Sequence, residues 1–371
     1  MPLSEKEKER YSRQIILEEI GFSGQTKLHE SKVCLIGAGG LGSPIALQLV
    51  AMGIGSLRII DRDIIEISNI HRQTLYNTDD IGYPKAEVAE RKLKAVNPNL
   101  NIEALTISVN QDNVKEIVDG VDVVVDGLDS IETRYLVNRA CVKVGIPYVY
   151  GAAIETIGSA TTIIPGETPC VECFAPNLEE DQLPKCGAVG VHPSVISIIG
   201  SIQVTETVRI LIGKKPNLAG RLVYFDVKNL TLDKIEIKKQ KACLVCGEDK
   251  SVAPKQIPRR LIQDLCGRDQ GKMTYTITPR DNLKLNIDSL SEKMRVRGFK
   301  IGVQGKKGVT FDYDNKFTVS ILESGVAIVV GVNEEQDALR LYHEVVAKEM
   351  GIEHDRIDSE ISALLAKPSA S

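Results

Sequence analysis

The sequence contains no tryptophan, and aromatic residues make up only 4% of its 371 positions. Proteins that stack single-stranded nucleic acid on their surface need aromatic side chains, so this composition argues against such a role. An excess of positive charge is lacking too, because the formal net charge is −4 at pH 7. Since nucleic-acid binding depends on concentrated Lys and Arg, we expect no nucleic-acid partner.

Long apolar runs are also lacking. The longest, at 195–202 and 325–332, fall well short of the roughly 20 residues of a membrane helix and are typical of buried core. The first residues have mixed charge and no apolar core of a signal peptide. We therefore predict a cytoplasmic protein with no membrane partner. Its eight cysteines then indicate metal binding or catalysis, not a disulfide framework.

A glycine-rich turn follows directly after a short apolar run at 33–36. The run predicts a buried strand, and Gly37, Gly39 and Gly42 have the spacing G-x-G-x-x-G. Ser43-Pro44 is a favourable cap and first-turn pair for a following helix. Strand, glycine turn and helix start together predict a site for a nucleotide phosphate, without indicating which nucleotide.

Residues 45–164 alternate between predicted helices and predicted strands. Strands are predicted at 57–60, 101–109, 121–125, 147–150 and 158–164, and helices at 45–52, 85–96, 111–118 and 131–143. This alternation is typical of a doubly wound, mainly parallel, Rossmann-like α/β sheet with helices on both faces. An apolar helix (194–211) and a hairpin (222–225 and 232–237) follow, and residues 4–30 carry a helical period.

Polar residues cluster after the second predicted strand. Asp61 closes that strand, about where dinucleotide-binding folds hold a ribose hydroxyl. Lys85 opens the predicted helix 85–96. Between them lie Ser68, Asn69, Ile70, His71, Arg72 and Gln73. A plain NAD-binding unit has no need for these polar groups. Asn69 and Arg72 are three residues apart, so on a helical turn they share one face, which could bind a triphosphate.

A second polar stretch, residues 126–130, follows the predicted strand 121–125. Doubly wound sheets bind their ligands at the carboxyl ends of such strands. An acidic residue at that edge, here Asp129 beside Ser130, can hold magnesium next to phosphates.

Two C-x-x-C pairs lie far apart in the chain, Cys170 with Cys173 and Cys243 with Cys246. Four thiolates in this arrangement predict one structural zinc per chain; the alternative is that they are simply buried cysteines. Cys186 stands outside these pairs, next to Lys185, whose charge favours the nucleophilic thiolate.

The chain beyond the second pair differs in character. Residues 248–270 are polar and predict a linker. Residues 271–357 predict a small α+β domain of order β-α-β-β-β-β-α, with a ferredoxin-like or half-saddle sheet and helices on one face. It carries no catalytic constellation, which favours a partner-docking or dimer-stabilising module. Residues 358–371 predict a frayed tail.

Together these motifs resemble the ubiquitin-activating enzyme superfamily, nearest to its MoeB/ThiF/HesA-like adenylyltransferase branch. The matching stretches are Arg13-Gln14, the turn at 37–42, Asp61-Arg-Asp, 68–73, Pro84-Lys85, 126–129 and the paired C-x-x-C. The resemblance implies that residues 1–247 form a ThiF-type adenylation domain with a zinc site. The tail departs from members that carry a rhodanese domain, because it lacks a sulfur-transfer loop.

The resemblance implies ATP- and magnesium-dependent adenylation of the C-terminal glycine of a ubiquitin-like or sulfur-carrier protein that ends in Gly-Gly. It implies catalytic roles for Arg72, Lys85 and Asp129, and a cysteine that takes the acyl group at Cys186. The implied homodimer lets Arg13 reach the partner's site. The expected nucleotide-binding residues are Gly37, Gly39, Gly40, Asp61, Ser68, Asn69, Ile70, His71, Arg72, Gln73, Lys85, Asp129, Ser130 and Arg13.

Two alternatives stay open on the sequence alone. An NAD-dependent oxidoreductase could use the same glycine turn, although the polar cluster at 68–73 and the paired cysteines count against it. A non-catalytic scaffold that only docks carrier proteins through the tail is the other alternative.

Overall fold

The structure is a computed structural model that describes residues 3–183, 189–248, 251–264, 273–313 and 317–358, and residue 365. The strands of its first sheet are β1 (Lys32–Ile36), β2 (Ser56–Ile60), β3 (Asn101–Leu105), β4 (Val123–Asp126), β5 (Tyr148–Ile154), β6 (Ile157–Ile163), β7 (Arg221–Asp226) and β8 (Thr231–Glu236). They lie in the order β3-β2-β1-β4-β5-β6-β7-β8. Strands β1 to β5 run parallel, and β6 to β8 are added antiparallel, so the mainly parallel sheet is confirmed.

Helices cover both faces of this sheet. They are α1 (Glu5–Arg10), α2 (Ser12–Ile15), α3 (Gly21–Glu30), α4 (Gly42–Met52), α5 (Lys85–Val96), α6 (Val114–Val118), α7 (Ile131–Val144), α8 (Val171–Phe174) and α9 (Pro193–Leu211). In β1, Val33 and Leu35 join a core cluster with α4, α5 and α9, whereas Cys34 and Ile36 join one with α6 and α7. Because successive strand residues point to opposite faces, a strand buried on both sides has a continuous apolar sequence.

The helix after the glycine turn begins earlier than predicted. Its N-cap residue is Leu41, which makes no side-chain cap, so the predicted capping role of Ser43 is wrong. The Ser43 hydroxyl is buried and donates to the Ala38 carbonyl at 3.1 Å. Gly42 allows the early start, because a Cβ there would lie 1.9 Å from the carbonyl oxygen of Gly37.

Helix α9 is the one described helix that is long and apolar enough to cross a membrane, judged by length and composition only. Half of its most apolar 18-residue stretch is buried inside the protein, and the helix packs against α4, β5 and β6. Its Gln203 amide donates to the carbonyls of Asp126 and Val149 at 2.8 and 3.2 Å. The apolar run predicted at 195–202 is thus part of a helix packed on the parallel sheet.

The elements of the second unit are β9 (Ile262–Asp264), β10 (Thr274–Ile277), α10 (Ile287–Val296), β11 (Lys300–Gln304), β12 (Gly308–Tyr313), β13 (Phe317–Leu322), β14 (Ala327–Val330), α11 (Glu335–Tyr342) and α12 (His354–Ile357). The strands form an entirely antiparallel sheet, in the order β11-β12-β13-β14-β10-β9. From β10 to α11 the elements follow the predicted order β-α-β-β-β-β-α, which is not the β-α-β-β-α-β order of a ferredoxin-like fold. One further strand, β9, lies inside the stretch predicted as a linker. The predicted helix 334–350 is α-helical to Tyr342 and then a π-helix at His343–Lys348.

The two faces of the second sheet have different partners. Ile321 and Val329 pack in one cluster with residues of α10 and α11. On the other face, Leu322 and Ile328 pack against Ile64, which follows β2 of the first sheet. The second sheet therefore lies between its own helices and the unit that contains the first sheet.

Candidate functional site

The loops that follow β1 and β4 touch each other at the carboxyl edge of the parallel sheet. Gly37 has φ +94°, and a Cβ on it would lie 2.4 Å from the carbonyl oxygen of Gly127. A Cβ on Gly127 would lie 2.3 Å from the carbonyl oxygen of Gly37. Only glycine fits this contact, which brings the loop of Asp129 beside the glycine turn.

Asp61 holds the glycine turn against the end of β2. One carboxylate oxygen accepts the N–H of Ala38 at 2.7 Å, and the other accepts that of Asp63 at 2.7 Å. Burial raises the pKa of Asp61 above its ordinary value, while the nearby Lys85 ammonium acts in the opposite direction. Each carboxylate oxygen can accept a further hydrogen bond, so a ribose hydroxyl still fits this residue.

Lys85 is a buried cation next to the glycine turn. Its side chain is 5% exposed, and its Nζ lies 3.0 Å from Oδ2 of Asp63. Its backbone N–H donates to the Asp63 carbonyl at 2.9 Å. The Tyr76 hydroxyl lies 3.3 Å from the Lys85 carbonyl and 2.9 Å from that of Ala38. An ammonium fixed in this way is well placed to meet a phosphate.

The segment 66–73 opens with a 3-10 turn, Ile67–Asn69. A further turn follows, in which the backbone N–H of Arg72 donates to the Asn69 carbonyl at 3.1 Å and that of Gln73 donates to the same carbonyl at 2.9 Å. The Asn69 side chain stabilises its own turn by accepting the Glu66 N–H at 3.2 Å. The Arg72 guanidinium donates to the Ser68 carbonyl at 2.5 Å. Ser68 and His71 are exposed, and Ile70 packs against the first core cluster.

Gln73 is a buried amide beside the glycine turn. It is 3% exposed, and its Nε2 would lie 3.7 Å from a Cβ on Gly39. Its Oε1 has no hydrogen-bond partner among the described residues. A buried acceptor without a donor is costly, so a ligand that supplies an N–H or O–H fits here.

The two acidic residues after β4 have separate roles. Asp126 is fully buried, with Oδ2 3.0 Å from Nε of Arg134 and 2.6 Å from the Tyr148 hydroxyl. Burial raises the pKa of Asp126, and the Arg134 charge opposes that shift. Asp129 is exposed at the edge of the sheet. Of the two, Asp129 is therefore the one accessible to a magnesium ion.

The N-terminus of α7 is capped by a residue distant in sequence. Oε2 of Glu180 accepts from the Ser130 hydroxyl at 2.9 Å and from the Ile131 N–H at 2.9 Å. Sequence analysis missed this contact, because nothing in the spacing relates residue 180 to residue 131. Cys186, the predicted nucleophile, lies in 184–188, outside the described residues.

The four paired cysteines converge although the chain separates them. All four are buried, and their sulfur atoms lie within 4.8 Å of one another. Sγ of Cys170 is 3.7 Å from that of Cys243, and Sγ of Cys173 is 3.3 Å from that of Cys246. Zinc–sulfur bonds of about 2.3 Å in a tetrahedron place the sulfurs roughly 3.8 Å apart. The cluster is thus close to the size of a four-thiolate metal site.

Arg13 does not lie at this edge. It is exposed on α2, and the neighbouring Gln14 amide donates to the carbonyl of Met52 at 2.9 Å. Met52 ends α4, whereas the glycine turn precedes its first residue, Gly42. Eleven helical residues extend about 16 Å, so α2 is anchored at the opposite end of α4 from the site.

Comparison with known families decides the identity of the first unit. The family model described as "ThiF family" matches residues 11–245, more than half of the chain. The chain belongs to the ThiF family. The resemblance seen in its motifs is thereby confirmed.

Relatives of this ThiF-family chain carry activating-enzyme names. A SAMP-activating enzyme E1 of Haloferax volcanii is 41% identical over 241 residues, which is 65% of this chain and 89% of the relative. A sulfur carrier protein ThiS adenylyltransferase of Bacillus subtilis is 33% identical over 345 residues, which is 90% of this chain and 98% of the relative. The alignment with the second relative extends well past residue 245, so the C-terminal unit has a counterpart there.

A solved structure shows the same fold at lower sequence similarity. The crystal structure of E. coli MccB with succinimide superimposes with a TM-score of 0.58 at 23% identity. It covers 64% of this chain and 74% of its own.

The structure brings most of the predicted nucleotide-binding residues of this ThiF-family chain to one edge. Asp61, Gln73 and Lys85 surround the glycine turn, and the Asp129 loop adjoins it. Sequence analysis missed Asp63 as the partner of Lys85. Its position could have indicated this role, because Asp63 follows Asp61 by two residues in the loop after β2.

Proposed function

We propose that this ThiF-family protein is an adenylyltransferase that uses ATP to activate the C-terminal glycine of a ubiquitin-like or sulfur-carrier protein. The names of the two relatives support the substrate class. The observation that carries the proposal is the buried Lys85 ammonium, held by Asp63 beside the glycine turn. A buried cation at a phosphate-binding turn suits a triphosphate better than it suits a nicotinamide.

The reaction we propose joins two substrates. A carboxylate oxygen of the carrier's terminal glycine forms a bond to the α-phosphorus of ATP. The bond from that phosphorus to its bridging oxygen breaks, and pyrophosphate leaves with the electron pair. The product is an acyl-adenylate. Such a step needs mainly positioning and neutralisation of charge.

This chain's own residues divide that work in our proposal. The turn of Gly37, Gly39 and Gly40 lets the backbone approach the nucleotide. Asp61 holds the ribose. Lys85 and Arg72 neutralise phosphate oxygens, and Asn69 supports the turn that carries Arg72. The neighbouring positions Ser68, Ile70, His71, Gln73 and Ser130 complete the proposed nucleotide-binding set.

Two metals belong to the proposal. Asp129 offers exposed carboxylate oxygens of the kind that magnesium prefers, and magnesium would neutralise charge on the phosphates. Zinc would be held by the four buried cysteines, Cys170, Cys173, Cys243 and Cys246, whose sulfur spacing supports it. Zinc there would tie the segment after β6 to the segment after β8.

We also propose a homodimer in which Arg13 serves the partner's site. Arg13 is exposed, and α2 is anchored at the end of α4 that is far from the site of the same chain. Both observations support a role for Arg13 in the site of the partner chain. Nearby Ile16 and Phe22 are 74% and 51% exposed, as residues of a protein interface would be. Domain bounds of 1–247 and 271–357, joined by 248–270 and followed by the tail 358–371, are part of this proposal, with the one difference that the joining segment contributes strand β9 to the second sheet.

Titration calorimetry with the full chain tests the proposed function. We expect MgATP to bind with one site per chain, and NAD to bind at least a hundredfold more weakly, because it lacks the triphosphate. Tight NAD binding without ATP binding would instead support the oxidoreductase alternative. Binding of neither nucleotide would favour the non-catalytic scaffold.

A further inference from the structure

We propose that Glu87 is a positioning residue through which the second sheet fixes Lys85 in the nucleotide site. This inference rests on the proposed function and adds to it a role for the C-terminal unit. The relevant surface is the segment 82–87, here called the docking segment, together with the turn 305–307 between β11 and β12. The docking segment contains Lys85 itself.

Both carboxylate oxygens of Glu87 are used by the hairpin turn. Oε1 accepts the backbone N–H of Lys306 at 2.8 Å, and Oε2 accepts that of Lys307 at 2.8 Å. Charge-assisted hydrogen bonds of this kind are stronger than neutral ones and fix geometry. The turn approaches so closely that a Cβ on Gly305 would lie 2.5 Å from Oε2 of Glu87.

Further contacts hold the same docking segment. The Thr310 hydroxyl donates to the Gly82 carbonyl at 2.8 Å. A Cβ on Gly308 would lie 2.7 Å from Cγ of Pro84. Ile64, bridged to Pro84, packs against apolar residues of β13 and β14. The second sheet thus contacts the chain on both sides of Lys85, at positions 82, 84 and 87.

Lys85 depends on this segment for its place. It is the first residue of α5, and Glu87 lies in the same first turn. Its N–H bonds to the carbonyl of Asp63, and its ammonium to the carboxylate of Asp63. Since Lys85 is part of the docking segment whereas Asp63 is not, release of the hairpin shifts the ammonium relative to Asp63 and to the glycine turn. The position of a charged group matters at the scale of an ångström.

The test measures MgATP affinity by calorimetry in full-length variants. In Glu87→Ala we expect the dissociation constant for MgATP to rise about tenfold, which corresponds to about one misplaced charge-assisted contact. Glu87→Gln keeps one acceptor oxygen and should lie between wild type and Glu87→Ala. Gly305→Ala should match Glu87→Ala, because its Cβ would collide with the Glu87 carboxylate and displace the hairpin, while the sequence of the ThiF-type unit stays unchanged.

Ser324→Ala is the matched control, because Ser324 also joins the two units but contacts the Thr106 carbonyl at 2.5 Å, away from Lys85. We expect wild-type MgATP affinity for it. Amide hydrogens at 82–92 and 306–307 should exchange faster in Glu87→Ala and in Gly305→Ala, but not in Ser324→Ala.

The outcomes separate the two proposals. If wild type fails to bind MgATP, the proposed function is wrong, whatever the exchange data show. If wild type binds and Glu87→Ala binds equally well, the positioning role is wrong. An equal loss in Ser324→Ala would also contradict it, since it would mean a general loosening of the interface.

Discussion

At the scale of single residues, Lys85 carries the largest expected effect. We expect Lys85→Ala to lower the rate of carrier-dependent ATP–pyrophosphate exchange by roughly a hundredfold or more, because phosphate charge then develops without its buried cation. Exchange of labelled pyrophosphate into ATP measures this. Lys94→Ala is the control on the same helix, where Lys94 is exposed and pairs with Glu90. Equal losses in both variants would contradict the assignment.

Asp126 is a residue for which stability, not activity, is the relevant readout. Asp126→Asn removes the charge that faces the buried Arg134 guanidinium, 3.0 Å away. Breaking a buried ion pair by removing one partner costs about 3–5 kcal/mol. Urea unfolding should show this loss, and Arg134→Met in the same chain should recover part of it. Asp112→Asn, at an exposed position, should stay within about 0.5 kcal/mol of wild type.

The sequence alone predicted those site residues whose chemical role follows from residue type and spacing. The glycines, Asp61, Lys85 and the four cysteines are of this kind, and the structure brings each set together. It missed Asp63 and Glu180, whose roles come from contacts between segments. The three-residue spacing of Asn69 and Arg72 predicted a turn, and the Arg72 N–H indeed donates to the Asn69 carbonyl at 3.1 Å.

At the scale of elements, the glycine turn after β1 contacts the loop after β4. Gly37→Ala adds a Cβ 2.4 Å from the carbonyl oxygen of Gly127, at φ +94°. We expect a loss of about 3 kcal/mol or more in unfolding free energy, from backbone strain and the collision together. Gly120→Ala is the matched control, because Gly120 has φ +72° but open space around its Cα. Its loss should stay near 1–2 kcal/mol.

The four-cysteine cluster joins elements that are distant in sequence. If zinc is bound there, Cys173→Ser should lower the zinc content below one ion per chain. The melting temperature should fall by on the order of 10 °C. Cys141→Ser, buried but outside the cluster, should keep its zinc. Elemental analysis measures the zinc content, and a thermal melt measures the melting temperature. Full zinc content in Cys173→Ser would contradict the metal assignment.

Elements themselves were largely predictable, because a strand buried on both faces and an amphipathic helix each have a period in sequence. Helix 85–96 and strand 317–322 agree with the structure at both ends. Helix starts and strand ends were less predictable. Gly42, for instance, permits a start that the Ser43-Pro44 pattern does not indicate, since the reason is a contact with Gly37.

At the scale of the whole molecule, the sequence predicted a second unit but not where it lies. The sheet of β9 to β14 packs on the chain around Ile64 and Glu87. One of its polar contacts joins the Glu87 carboxylate to two backbone N–H groups. Because backbone donors exist at nearly every residue, no sequence pattern indicates which of them Glu87 binds.

The central claim is carrier-dependent adenylation at the edge formed by the loops after β1, β2 and β4. The most direct measurement is ATP–pyrophosphate exchange by the full chain, with a small carrier protein that ends in Gly-Gly and with the same carrier lacking its last glycine. We expect exchange only with the intact carrier, and its loss in Asp129→Ala without loss of the fold. Exchange that does not depend on the terminal glycine, or that persists in Asp129→Ala at the wild-type rate, would contradict the proposed site.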